Sequence, residues 1–107
     1  MGFKRKQSRV DVGRSGRIQR GSLSAPCKVL DIGETGVRIE SRMFVKVGDT
    51  LQLILDLDRG HAISCTIQPI HVQAPRFGAR ITAISPENKE RLSQILDDRV
   101  QRQFSAR

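Results

Sequence analysis

The sequence predicts a small, mainly β domain, an antiparallel barrel or sandwich closed by one C-terminal helix. Three observations carry that prediction. Apolar and polar residues alternate in short runs through the middle of the chain, turns bearing glycine or proline separate the runs, and the period lengthens to a helical one after Ser85.

Residues 1–13 read as an irregular, flexible basic arm, and 14–107 as the barrel with its helix. Gly13, Gly16 and Gly21 keep the early region from forming a long helix. The first strand signal is Cys27 to Ile32, where adjacent Val29 and Leu30 suggest burial on both faces. Gly33 to Gly36 then makes a turn, and a strand with one wet face leaves it, Val37 and Ile39 alternating with Arg38 and Glu40.

Residues 50–58 give the clearest period, with Leu51, Leu53, Leu55 and Leu57 on one face and Gln52, Asp56 and Asp58 on the other. Asp58-Arg59-Gly60 supplies hairpin chemistry into residues 61–68, where Ile63, Cys65 and Ile67 repeat the alternation. Pro69 cannot donate to a ladder, so it should end or bulge that strand. Phe77, Ala79, Ile81 and Ala83 mark a last strand. Ser85 then suits an N-cap, Pro86 a first helical turn and Glu87 the helix dipole; Leu92, Ile95, Leu96, Val100 and Phe104 form one stripe, predicting a helix over about 86–104 that packs on the barrel.

The 107 residues have room for one core and little stability to spare for a deep enzyme pocket, since a chain of this size buries roughly 60–70% of its unfolded surface. No apolar run is long enough for a membrane span, and the basic N-terminus lacks the apolar stretch of a secretory signal. Two cysteines, Cys27 and Cys65, are too few for a disulfide framework and fall in apolar surroundings, so a reducing compartment and a cytoplasmic location are expected.

Of the net charge of +8, residues 1–20 hold +6, through Lys4, Arg5, Lys6, Arg9, Arg14, Arg17 and Arg20 against Asp11 alone. Such a segment steers anions toward it, whether nucleotide, nucleic acid or membrane surface; the plain alternative is a solvated tail. Nucleic acid is disfavoured because there is no Trp or Tyr to stack on bases, and Phe3 is the only phenylalanine in the arm. Cys27, His61, Cys65 and His71 lack the paired spacing of a zinc site, so no metal is expected. Asp56 and Asp58 share a face, as solvent-facing strand residues routinely do, and nothing resembles a nucleophile, base and oxyanion set; the chain reads as a non-enzyme.

Two short motifs remain. Arg5-Lys6-Gln7-Ser8-Arg9 offers two planar cations four residues apart, and Asp31-Ile32-Gly33-Glu34-Thr35-Gly36 holds a carboxylate beside a glycine turn. The arginines can grip phosphates or the acceptor edge of a guanine, and the carboxylate can receive donors from its other edge. Taken singly, Arg5 and Arg9 read equally as tail residues, Asp31 as a cap on its own turn and Gly36 as a hairpin glycine.

In this order and strand context the chain resembles a PilZ domain, with Arg-x-x-x-Arg at 5–9, a form of Asp/Asn-x-Ser-x-x-Gly at 31–36, a later Phe77-Gly78-Ala79-Arg80-Ile81 strand and the terminal helix. The resemblance spans essentially the whole chain. It implies a six-stranded antiparallel β-barrel and, as ligand, the second messenger cyclic di-GMP. Arg5 and Arg9 would then hold phosphate and the guanine O6/N7 edge, Asp31 the opposite edge, and Gly36 the close turn.

Gly33 stands where the family usually has serine, and loss of one hydroxyl hydrogen bond of about 0.5–1.5 kcal/mol would weaken binding roughly three- to tenfold. Lys4 and Lys6 add cations that would favour a more highly charged ligand, such as two stacked cyclic di-GMP molecules, and Arg38 is a candidate to reach the same face. The function so implied is a receptor whose arm orders on ligand binding and which signals through an effector protein, in processes such as motility or biofilm control. A ligand-independent interaction adaptor is the alternative, and a basic RNA- or DNA-associated protein stands behind it.

Overall fold

In the computed structural model, which describes residues 9–57 and 60–105 and side chains over 12–57 and 60–97, six strands form one closed antiparallel barrel. The strands are β1 (Arg9–Arg20), β2 (Leu23–Gly33), β3 (Gly36–Ser41), β4 (Leu51–Asp56), β5 (Ala62–Gln73) and β6 (Arg76–Ala83), followed by helix α1 (Pro86–Ser105). Their order around the barrel is β1-β2-β3-β6-β5-β4. Pairing of β4 back onto β1, Gly16 opposite Leu55 and Ile18 opposite Leu53, closes the ring and leaves no open edge.

The alternation sets what faces inward. Ile18, Val29, Ile32, Val37, Ile39, Leu51, Leu53, Leu55, Ile63 and Ile67 are buried in one core, and the intervening residues of each strand face outward. Gly16 is needed where β1 meets β4, because a Cβ there would lie 2.6 Å from the Ile54 carbonyl oxygen. Cys27 and Cys65 are free thiols in this core, both pushed up to about 11, in each case chiefly by burial.

Helix α1 starts as expected. Asn88 N–H donates to Ser85 Oγ at 3.2 Å, which satisfies a first-turn donor that would otherwise lack a partner, and Lys89 N–H donates to the Ser85 carbonyl at 2.8 Å to open the helical ladder. Leu92 and Leu96 are buried with the core and Ile95 packs beside them, so this part of the apolar stripe covers the barrel against β5 and β1. Val100 and Phe104, the rest of the stripe, lie beyond the described side chains.

Two expectations need correction. β1 begins at Arg9, so residues 9–13, read as irregular arm, are strand. β1 hides its character because, among its described side chains, Ile18 is the one large residue that is fully buried, and Gly13, at φ +53°, interrupts the alternation at a bulge between Asp11 and Arg14. β2 likewise begins at Leu23, before the first apolar run. Pro69, by contrast, bulges its strand as expected: the β5–β6 register shifts between Pro69 and His71, and β5 continues to Gln73.

Candidate functional site

A pair of register shifts shapes the outer face of β2. Against β3, Val29 pairs with Ile39 but Asp31 with Arg38, leaving Leu30 as the extra residue; against β1, Asp11 pairs with Asp31 but Arg14 with Val29. The extra residue reverses the inward–outward parity. Ile32 therefore enters the core opposite Val37, while Asp31 and Gly33 turn to the outer side. The adjacent apolar pair Val29-Leu30, expected to be buried on both faces, is the mark of this bulge: Val29 is in the core and Leu30 is half-buried.

On that outer side the second motif forms a compact group. Gly33 ends β2 and Gly36 begins β3, with Glu34 and Thr35 turning between them. Asp31 is buried, and Arg38 Nε lies 3.3 Å from its Oδ2; the Arg38 side chain is itself about half exposed. Arg38 thus reaches the Asp31 carboxylate, and both share the face that carries Gly33 and Gly36.

The first motif meets this group at one point. Arg9 stands opposite Gly33 in the β1–β2 ladder, two positions along from the pairing of Asp11 with Asp31. Arg5, Lys4 and Lys6 lie outside the described residues.

Two residues that the sequence did not single out share this face. Gly78 lies opposite Arg38, and Arg80 opposite Gly36, in the β3–β6 ladder. A Cβ at Gly78 would meet nothing within 4 Å, so this glycine is not required by packing. Arg80 is exposed. Arg9 on β1 and Arg80 on β6 therefore bracket Gly33 and Gly36 across three strand spacings, about 14 Å. Alternation of Phe77, Ala79 and Ile81 already turns Gly78 and Arg80 outward. Their neighbours are set by pairing of β3 with β6, which are not consecutive in the chain and leave no local signal.

The arrangement suits recognition of a flat, anionic ligand. Gly33, Gly36 and Gly78 place residues without side chains on three strands, Asp31 sets a carboxylate paired with Arg38 among them, and Arg80 adds an exposed guanidinium able to offer paired donors to phosphate or guanine. Among the described residues, no group of three or more His, Cys, Asp or Glu could hold a metal ion, and no helix is long and apolar enough to cross a membrane. His61 and His71 are exposed while Cys27 and Cys65 are buried.

Fold and face together define a small closed antiparallel β-barrel with a polar outer face on β2, β3 and β6. The PilZ domain model matches residues 3–98, and the chain belongs to that family. MotI/DgrA, the inhibitor of motility from Bacillus subtilis, superimposes with a TM-score of 0.77 at 16% identity, over 98% of this chain and 54% of that one. The PilZ domain of YcgR from Escherichia coli, solved with c-di-GMP, gives 0.74 at 12% identity over 98% of this chain and 99% of that one. The PilZ domain of CeSA from a cellulose-synthesizing bacterium gives 0.68 at 12% identity, over 85% and 96% of the two chains. The chain thus spans about half the length of MotI/DgrA and nearly all of the two isolated PilZ domains. At these identities the likeness is one of fold. No curated protein matches the sequence at a significant level.

Proposed function

We propose that the protein is a non-enzymatic cytoplasmic receptor for cyclic di-GMP, bound on the outer face of β2, β3 and β6. The single observation that carries this reading is the register that sets Arg9 opposite Gly33, since it joins the end of the arginine motif to the acidic glycine turn. Family membership and the YcgR PilZ domain with c-di-GMP support the choice of ligand.

In this reading Arg5 and Arg9 hold phosphate and one guanine edge, Asp31 accepts from the opposite edge, and Gly36 lets the base approach the backbone. Arg38 steadies Asp31, and Arg80 adds a cation at the far margin. Binding draws the segment before β1, which carries Arg5, against the barrel and changes the surface offered to an effector protein. Charge-assisted bonds from the arginines, roughly twice as strong as neutral ones, provide most of the affinity.

Isothermal titration with cyclic di-GMP tests the reading. Wild type should release or absorb heat at micromolar ligand, and Arg9→Ala should lose about tenfold or more in affinity. No heat from wild type at high-micromolar ligand overturns it. The same titration gives the stoichiometry, and one ligand per chain at saturation removes the proposal that Lys4 and Lys6 favour a stacked pair.

A further inference from the structure

One end of the barrel gathers the exposed bulky apolar side chains. Leu23, Phe44, Val47 and Ile70 are each more than half exposed, and Phe44 is 71% exposed. They come from three separate parts of the chain: the start of β2, the loop 42–50 between β3 and β4, and β5. The hydrogen bonds of that loop bring them together. Arg20 Nη1, on the residue paired with Leu23, donates to the Phe44 carbonyl at 2.7 Å, and Gly48 N–H, beside Val47, donates at 3.0 Å to the carbonyl of Pro69, beside Ile70.

The loop is held in place with its aromatic ring outward. Asp49 Oδ2 accepts from the Lys46 N–H at 2.8 Å and from Arg20 Nη1 at 3.1 Å, and these contacts hold its carboxyl below the usual carboxylate range. Val45 is buried in the core, while Phe44 beside it stays out. Under Phe44 lies a cleft of about 400 Å³ lined mainly by Met43, Val45, Val72, Pro75 and Phe77. An exposed aromatic ring over an apolar cleft, with further exposed apolar side chains on neighbouring segments, marks a site of association in a small domain.

Charge decides the occupant. Arg42 and Arg76 line the same cleft, Lys46 projects from the loop, and an adjoining depression shares Ser41, Arg42 and Pro75 while adding Lys28. Glu40 is the carboxylate on this rim and is paired with Arg76 at 3.4 Å; Asp49 is paired with Arg20. Lys28 also stands opposite Glu40 in the β2–β3 ladder and Lys46 adds its charge beside Asp49, so among the described residues of this surface five cations, Arg20, Lys28, Arg42, Lys46 and Arg76, share two carboxylates. A second copy of the chain, meeting the same patch across a two-fold axis, would set these cations against themselves.

We propose that this end of the barrel docks a partner protein through an acidic segment, one bulky apolar side chain flanked by carboxylates. The apolar side chain enters the cleft beside Phe44, and the carboxylates meet Arg42, Lys46 and Lys28. An aromatic anchor within a cationic rim is the pattern in which a few residues carry most of the binding energy.

The test uses the full chain and a fluorescein-labelled short peptide with a central Phe between Asp and Glu residues, read by anisotropy. The acidic peptide should bind with affinity that falls as salt rises, and Phe44→Ser should weaken it about tenfold or more. Arg42→Glu should weaken it several-fold. Both residues are exposed, so the variants should keep the wild-type melting temperature. The proposal fails if the acidic peptide shows no binding at millimolar protein, if a peptide with Lys in place of its acids binds equally well, or if Phe44→Ser binds as wild type does. Sedimentation showing a dimer that Phe44→Ser dissolves also overturns it, by making a second copy the occupant. None of these outcomes depends on cyclic di-GMP.

Discussion

Arg38 Nε lies 3.3 Å from Asp31 Oδ2 across the β2–β3 ladder, so the carboxylate that begins the second motif already carries a cation at its flank. The pair is asymmetric, Asp31 being buried and Arg38 about half exposed. A buried carboxylate needs its partners to be satisfied and oriented, whereas an exposed guanidinium loses little when the pair is broken. Arg38 is thus a positioning residue for the proposed acceptor.

Arg38→Met should keep the fold and cost about 1–3 kcal/mol of stability, because it leaves the buried Asp31 carboxylate one partner short. Cyclic di-GMP affinity should fall roughly three- to tenfold as Asp31 loses one of its restraints. Arg38→Lys should recover only part of the loss, since an ammonium lacks the planar fork. Titration calorimetry on the three proteins, with thermal melts alongside, checks both expectations; unchanged affinity in Arg38→Met would remove Arg38 from the site.

Gly78 offers a test that separates ligand space from packing. A Cβ there meets no neighbour within 4 Å, while one at Gly16 would lie 2.6 Å from a backbone oxygen. Gly78→Val should therefore fold with an equal or higher melting temperature, because valine suits a strand better than glycine by up to about 1 kcal/mol. It should nevertheless cut ligand affinity about tenfold or more by raising side-chain bulk on the proposed floor. Gly16→Ala should do the reverse, losing about 1–3 kcal/mol in urea unfolding with affinity retained.

How much of this was legible in the sequence depends on whether a feature is local. The strands around Val37-Ile39, Leu51-Leu55, Ile63-Ile67 and Phe77-Ile81 announce themselves because each buries a regular alternation. β1 does not, since its inward positions include Gly16 and its bulge at Gly13 breaks the period; its place is fixed by pairing on both sides with β2 and β4. The acidic turn was visible as a motif, and its outward aim was not, because that aim comes from the extra residue at Leu30. Gly78 and Arg80 join the face only through the β3–β6 ladder, a non-consecutive pairing that no local pattern encodes.

The two buried thiols make the fold sensitive to alkali. Cys27 and Cys65 are pushed from an ordinary 9.0 up to about 11 by burial, with Asp56 adding to the rise at Cys27 and Arg17 opposing it. The unfolded chain loses these protons first as pH rises. Each thiol's contribution is therefore complete below about pH 9 and falls away between about pH 9 and 11, at up to about 1.4 kcal/mol per pH unit. Urea midpoints measured across that window should decline, and Cys65→Val should flatten part of the decline. A slope unchanged in Cys65→Val would show that other groups control it. Alkylation of either thiol in the native protein at neutral pH should also be slow.

Gly33 stands where the resemblance to PilZ domains leads us to expect serine, and the ladder gives that position a physical meaning. As the last residue of β2, opposite Arg9, it stands where the two motifs meet. Gly33→Ser adds a hydroxyl able to donate to the ligand or to brace the turn. A net hydrogen bond of about 0.5–1.5 kcal/mol should tighten cyclic di-GMP binding roughly three- to tenfold. Gly33→Ala separates the hydroxyl from the change in backbone freedom, because it brings the Cβ alone. The expectation is that serine improves affinity and alanine does not. If alanine improved it equally, the gain would come from stiffening the turn, and if serine weakened it, the glycine would be serving close approach of the ligand to the backbone.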